Sequence, residues 1–328
     1  MPGETDPRWG LGANSTMITM IVRRLLTALP TIAASTALLF FSVTVILGSP
    51  AGMMLGQDAS PQAIAALNEK YGFDRPALVQ YGAWVANAFQ GDLGRSFTTQ
   101  QSVSRAITDC IPVTIELTLW SILLAASAAI VLNTIPVFKR TLTGATTLAN
   151  LIGITVPNFM LGISLIFLFS VWLGWLPSNG WAPWSDGAGE HLRRMIMPVL
   201  TLSAYYFGAF SIVYRAEYRD VAQRMFIQVA LAKGLSEWKV AFKHALPNAV
   251  LPVITFVGIS MGQLTGGAVV TETVFSMPGT GRLFVSAISG HDFPVVLAVG
   301  MLVVTGVIVM NLLADIAYTI ANPQIRFD

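Results

Sequence analysis

The pattern closest to a catalytic signature is Gly258-Ile-Ser-Met-Gly262, which fits the G-x-S-x-G arrangement of a nucleophile elbow. An elbow needs a sharp strand-to-helix turn that projects the serine hydroxyl towards a base. Ser260 instead sits in an uncharged run of span length, with no His or Asp partner close in sequence. A membrane-embedded hydrolase therefore rests on Ser260 alone. The glycines at Gly258, Gly262 and Gly266 read better as a small-residue face for close helix packing or pore lining. Three carboxylates, Glu116, Glu272 and Asp315, lie in or at the ends of apolar runs. Such groups are costly in lipid, and two readings stand for each: an interfacial group reaching headgroups or water, or a functional one. A proton relay would want them near mid-membrane, whereas Glu116 and Glu272 fall near outer ends and Asp315 near an inner end. His191, His244 and His291 are too far apart for metal-ligand spacing and read as scattered surface or interfacial side chains, so no metal is expected. Cys110 is the one cysteine, which excludes an intrachain disulfide. No G-x-x-x-x-G-K-[ST] phosphate loop occurs, so ATP, if used, is bound by another polypeptide.

These residues must be positioned by an unusual scaffold. Hydrophobic residues make up 54% of the chain and charged residues 11%, against about a quarter charged in soluble domains. The surface therefore faces lipid. A net charge of +2 is too small to suggest nucleic acid. A span needs about 20 apolar residues, and six runs qualify: Leu25–Leu47, Ile111–Phe138, Ala145–Trp175, Met195–Tyr214, Ala245–Thr271 and Phe293–Ala314. The first is too long for a signal-peptide core, and Arg23-Arg24 before it read as charges flanking an anchor rather than a twin-arginine signal. Twelve of the 19 Lys and Arg residues fall in inner segments if the N-terminus is inside, and the remaining outer ones lie mostly in one long loop. The expected fold is all-α and polytopic, with six transmembrane helices and both termini inside.

Residues 1–17 read as a disordered extension and 18–328 as one transmembrane domain. An outer loop, 48–110, contains two helix-like pieces, Pro61–Tyr71 and Leu78–Phe89. Leu176–Arg194 carries Trp181 and Trp184, as an interface belt would. Pro157, followed by Asn158, interrupts the third run. A proline frees a carbonyl and bends a helix, which suits either pore lining or a packing kink.

The most charged inner loop runs over 215–247. Val221, Met225, Val229 and Ala232 fall near one helical face, and Leu235, Trp238, Phe242 and Leu246 near another. Gly234 allows a left-handed turn between two short helices. Ser236 can cap the second, and Pro247 opens the next segment. Such a helical pair can lie on lipid or pack into a groove on a partner. The small residues Ala230, Ala232 and Gly234 favour a partner, because they let another backbone approach.

At this loop a resemblance enters. Gln228-Val229-Ala230, then Gly234, then Leu246-Pro247 resembles the EAA loop of ABC importer permeases, with Gln and Val at the first two positions. The run Ala232-Lys233-Gly234-Leu235-Ser236 looks like the peptide-permease form. Gly48-Ser-Pro-Ala51, Tyr71-Gly-Phe-Asp-Arg-Pro76, Gly91-Asp92-Leu-Gly-Arg-Ser96, Thr271-Glu-Thr-Val-Phe275, Pro278-Gly279, Gly281-Arg282, Asp292-Phe-Pro294, Asn311-Leu-Leu-Ala-Asp315, Tyr318 and Asn322-Pro323 are similar to further elements of the B-type permeases of the dipeptide, oligopeptide and nickel group. The resemblance implies a type I importer-like permease in a bacterial inner membrane. It implies four kinds of partner: a second homologous permease, two ATP-binding subunits that hold ATP and Mg, an extracytoplasmic solute-binding protein, and membrane lipid. The loop residues Gln228 to Ala230, Lys233 to Ser236, Leu246 and Pro247 would couple to the ATPase. Gly91, Asp92, Pro278, Gly279 and Asp292 would meet the binding protein. A secondary transporter or channel working without an ATPase remains the alternative. The carried solute is not legible.

Overall fold

The computed structural model describes residues 26–44, 50–55, 59–134 and 140–321. The 1–17 extension, Arg23-Arg24, Gly48-Ser49 and Asn322-Pro323 lie outside the described residues. The described chain is helical, and its only extended pairing is an isolated bridge between Arg95 and Ser102.

The first apolar run forms α1 (Leu26–Thr44). A short α2 (Pro50–Leu55) follows, then α3 (Pro61–Tyr71) and α4 (Ala77–Phe89), the two helices expected in the 48–110 loop. Ser60 caps α3 by accepting from the Ala63 N–H, and Gly72 ends the helix at φ +71. The second run is α5 (Val103–Thr134), which starts well before the apolar stretch and absorbs Pro112.

The third run departs from expectation. It splits into α6 (Arg140–Thr155) and α7 (Asn158–Leu165), the latter continuing as a wide π turn over Ile166–Trp172. The two arms are bent by 115° at Val156-Pro157. Pro157 has no N–H for a helical bond and disfavours helix at the residue before it, so the helix stops and restarts.

The fourth run is longer than the sequence suggested. α8 (Ala188–Ala222) has 35 residues, about 52 Å at 1.5 Å per residue, against a hydrocarbon thickness of about 30 Å. Residues assigned to the start of the inner loop, Arg215 to Ala222, are thus a continuation of this helix. Then come α9 (Met225–Ala232), α10 (Glu237–Val240), a π turn over Ala241–Ala245, α11 (Leu246–Ala249) and α12 (Leu251–Val274). The chain bends by 46° between α11 and α12. α13 (Thr280–Ser289) and α14 (Phe293–Ala321) complete it. Among the described residues, four unbroken helices are long and apolar enough to cross a membrane, and six crossings result if each bent pair counts as one.

Two cores hold the bundle. One joins α5, α8, α9, α10 and α12 through Leu117, Leu202, Phe210, Tyr214, Ile227, Val240 and Leu264. The other joins α1, α13 and α14 through Phe40, Val43, Ala287 and Leu297, with Tyr81 and Trp84 of α4 packed against it. Large apolar side chains elsewhere, such as Leu123, Ile163, Phe167 and Ile212, remain exposed, as lipid-facing or partner-facing surface requires.

Candidate functional site

At the loop end of α8 the chain turns sharply twice. α9 closes with a glycine cap: the Gly234 N–H donates to Leu231 O at 2.9 Å and the Leu235 N–H to Ala230 O at 3.3 Å. Gly234 holds φ +78, a conformation that costs other residues roughly 1 kcal/mol or more. Ser236 then caps α10, its hydroxyl accepting from the Lys239 N–H at 3.4 Å. The result is a helix-turn-helix, built from short-range signals.

Its apolar residues divide between two sides. Ile227 and Ala230 point inward and join the core that contains Val221 and Val240. Ala230 is only 8% exposed. Its smallness therefore lets α9 lie close to the chain's own body, and the idea that it admits a partner's backbone is corrected. The opposite side is also apolar. Met225 is 80% exposed, Val229 45% and Trp238 55%, and Phe226 and Leu231 are exposed as well. Gln228, Lys233, Gly234 and Ser236 share that open surface, and Leu235 is half-buried. Trp238 stacks obliquely on Phe242, with ring centroids 4.4 Å apart. The expected face of Met225, Val229 and Ala232 is thus exposed, whereas Val221 belongs to α8 and is buried. Leu246 is half-buried and Pro247 exposed at the start of α11. Phe226 and Leu231 escaped the sequence reading because an eight-residue helix with apolar residues all round does not say which side is inside.

A second site lies at the α6–α7 break. Pro157 and Asn158 line a cleft of about 380 Å³ together with Thr155, Phe159, Tyr205 and Val270. Asn158 starts α7 without a side-chain cap before it. Of the three glycines on α12, Gly262 meets Asn311 and Val307 of α14, Gly258 is half-buried, and Gly266 faces open space. They do not form one packed seam, since Gly266 has no neighbour within 4 Å while Gly262 meets α14. The closest helix approach is elsewhere. A Cβ on Gly153 of α6 would overlap Ala204 O of α8, and one on Gly208 would come within 2.8 Å of Asn150 O. The Ala204-x-x-x-Gly208 spacing was the available signal. Ser260 is buried within unbroken α12, so the nucleophile-elbow geometry is absent.

The residues expected to meet the binding protein separate likewise. Gly91 and Asp92 are exposed, Asp92 accepting from the Gly94 N–H at 2.9 Å, and Pro278 is exposed. Asp292 is buried. It takes a hydrogen bond from the Ser96 hydroxyl, one from the Phe97 N–H at 3.0 Å and one from the Thr98 hydroxyl at 2.8 Å. Gly279 is buried against Glu272, whose carboxylate a Cβ would overlap. The carboxylate of Asp292 is used inside the chain, and of its two neighbours His291 is exposed and Phe293 buried. Glu272 is buried too, accepting from the Thr114 hydroxyl at 2.6 Å and from the N–H groups of Gly281 at 2.8 Å and Arg282 at 3.0 Å. It caps α13, and the interfacial reading of its carboxylate is corrected. His191, read as surface or interfacial, is fully buried. It stacks on Trp184 at 4.0 Å, faces the Ala182 carbonyl through Nδ1 and meets Glu116 through Nε2 at 2.9 Å. The Trp184 indole N–H donates to the same Glu116 oxygen at 3.0 Å. Among the described residues no His, Cys, Asp and Glu cluster could hold a metal.

Two family patterns match the chain. Residues 121–327 match the binding-protein-dependent transport system inner membrane component, and residues 17–118 match the N-terminal part of such membrane components. A transport-system permease protein of Brucella abortus (strain 2308) is 38% identical over 315 residues, covering 95% of this chain and all of that one. The di/tripeptide transport system permease protein of Pseudomonas aeruginosa is 36% identical over 333 residues, covering 94% of this chain and 99% of that protein. The glutathione transport system permease protein of Escherichia coli O6:H1 is 35% identical over 319 residues, covering 95% and 100%. Lipid-facing helices, a broken span and end-to-end similarity agree: this chain is an inner-membrane transport subunit and belongs to the family of inner membrane components of binding-protein-dependent transport systems.

Proposed function

We propose that the chain forms half of the translocation pore of an ATP-driven importer for peptides or related small solutes, and that the part of the 215–247 segment beyond the end of α8 is where a separate ATPase docks. The observation that carries the docking is the surface of Met225, Phe226, Val229, Leu231 and Trp238, apolar and exposed on a helix-turn-helix whose inward side is already packed. Fully burying one such side chain is worth about 1.5–3 kcal/mol, so five supply a strong anchor for a groove. The chain carries no phosphate loop; two ATP-binding subunits hold ATP and Mg, and a second, similar permease completes the pore. Both termini face the cytoplasm, following the charge distribution. A solute-binding protein meets the outer surface at 50–110 and 276–292. ATP-driven closure of the ATPase pair displaces α9 and switches access to the cleft at Pro157, which requires different contacts in the two states. The relatives' names support peptides or glutathione-like solutes as cargo.

The test is Val229→Asp in the assembled transporter. Val229 is exposed, so membrane insertion and thermal stability should hold within about 0.5 kcal/mol. Co-purification of the ATPase subunits should fall at least tenfold. Unchanged ATPase retention and uptake would refute docking at this surface.

A further inference from the structure

Seven residues before α8 ends, the Arg215 guanidinium spreads across three helices. Its Nε donates to Asn133 Oδ1 of α5 at 2.5 Å. Its Nη1 and Nη2 donate to the hydroxyls of Thr147 and Thr146 of α6, at 3.1 and 2.8 Å. Among the described residues no carboxylate pairs with it. The acceptors are preset. Asn133 is buried, and its amide nitrogen donates to Ser211 Oγ at 2.9 Å and to Ala129 O at 2.6 Å. That fixes the amide oxygen towards Arg215, because the flipped amide would set N–H against N–H. One residue on, Thr134 donates to Ile130 O at 2.8 Å and so accepts from the Tyr214 hydroxyl at 2.6 Å. The planar guanidinium suits this fork, and the point charge of a lysine does not.

The clamp sits at one end of a continuous α6–α8 contact. Beyond it come the Asn150–Gly208 approach and the Gly153–Ala204 approach, and then the cleft shared by Thr155, Pro157 and Tyr205. On the other side of the clamp from that cleft, α8 runs on to Ala222 and leads into α9.

We propose that Arg215 is the positioning residue that locks α6 to α8, so that displacement of the α9 loop is delivered to the cleft at Pro157. This rests on the proposed coupling role of that loop. The charge is held by neutral oxygens from two helices, so Arg215 joins three elements into one body without fixing any of them to an acid.

The experiment uses the complete transporter in membrane vesicles, with Cys110→Ser and Thr155→Cys introduced to place a thiol reporter in the cleft. The rate of modification by a membrane-impermeant maleimide is measured without nucleotide and after trapping with ATP and vanadate. With Arg215 intact, the two rates should differ at least fivefold. With Arg215→Ala the difference should fall below twofold while ATP hydrolysis stays within a factor of two, and Arg215→Lys should recover less than half of it. Thr146→Val with Thr147→Val removes two acceptors at nearly constant volume and should reproduce the loss if Arg215→Ala assembles poorly. A nucleotide response that persists at full size in both variants overturns the Arg215 assignment alone. No response with Arg215 intact overturns the coupling reading, and this inference with it. A parallel loss of hydrolysis and response would mark Arg215 as merely structural.

Discussion

α9 and α13 lie before and after α12 in the chain, are similarly short, and are finished in opposite ways. The N-terminus of α13 is closed by a buried carboxylate, Glu272, which meets two of its free N–H groups and the Thr114 hydroxyl. The turn after it is closed by a second, Asp292, which ties α14 to the strap at Ser96–Thr98. α9 follows Arg224, which gives it no side-chain cap, and leaves Met225, Phe226, Val229 and Leu231 in the open. An isolated helix of eight residues is marginal in water, and a contiguous exposed apolar patch marks an interaction surface. The α13 end is thus completed within this chain by polar groups. The loop end is left apolar and incomplete, as a surface completed by another subunit would be.

Two substitutions at the α13 end should break this contrast most severely. Glu272→Ala leaves the Gly281 and Arg282 N–H groups without their carboxylate acceptor, at about 1–3 kcal/mol each where water cannot enter, and leaves the Thr114 hydroxyl only Thr280 Oγ1, at 3.0 Å, to bond. A loss of about 3 kcal/mol or more is expected, read as a lower thermal unfolding midpoint in detergent, with Glu272→Gln losing less. Gly279→Ala comes next. Its φ of −96° suits any residue, so the cost is steric: the added methyl meets the Glu272 carboxylate, for about 1–3 kcal/mol of overpacking. If Glu272→Ala removes the penalty of Gly279→Ala in the double variant, the overlap is its cause. If the two losses add, the cap is not the shared element.

How much of this was legible follows from the range of each interaction. The uncharged runs, the α3 bounds, the Gly234 turn and the Ser236 cap depend on residues within a turn of one another, or on lipid acting evenly along a run. They could be read in order. The Glu272–Thr114 bond joins residues 158 apart and the Asp292–Ser96 bond residues 196 apart, and no local pattern announces either. Pro157 signals an interruption, but its 115° angle is decided by where α8 and α12 let α7 pack. His191 reads as a surface residue until Trp184 and Glu116 are brought around it. Ala230 was found by its spacing to Gly234 and read as admitting a partner's backbone, because small size shows that something packs closely without saying whether it is this chain or another.

The smallest effect on stability sharpens the contrast from the loop end. Ser236→Ala removes one hydroxyl that accepts from the Lys239 N–H at 3.4 Å. Caps of this type contribute about 1 kcal/mol, and the long distance places this one at or below that figure. Gly234 and the inward packing of Ile227 and Val240 remain, so the fold should persist with an unfolding midpoint close to the original. The turn itself should loosen. Amide hydrogen exchange over 233–240 should speed up several-fold in the isolated chain and return towards the original rate once the ATPase subunits are bound, since the partner then holds the surface the cap helped to present. Faster exchange spread equally to α13 would mean that the two ends are not independently finished, and equal protection with and without the partner would mean that the apolar surface at Val229 and Trp238 is not where it sits.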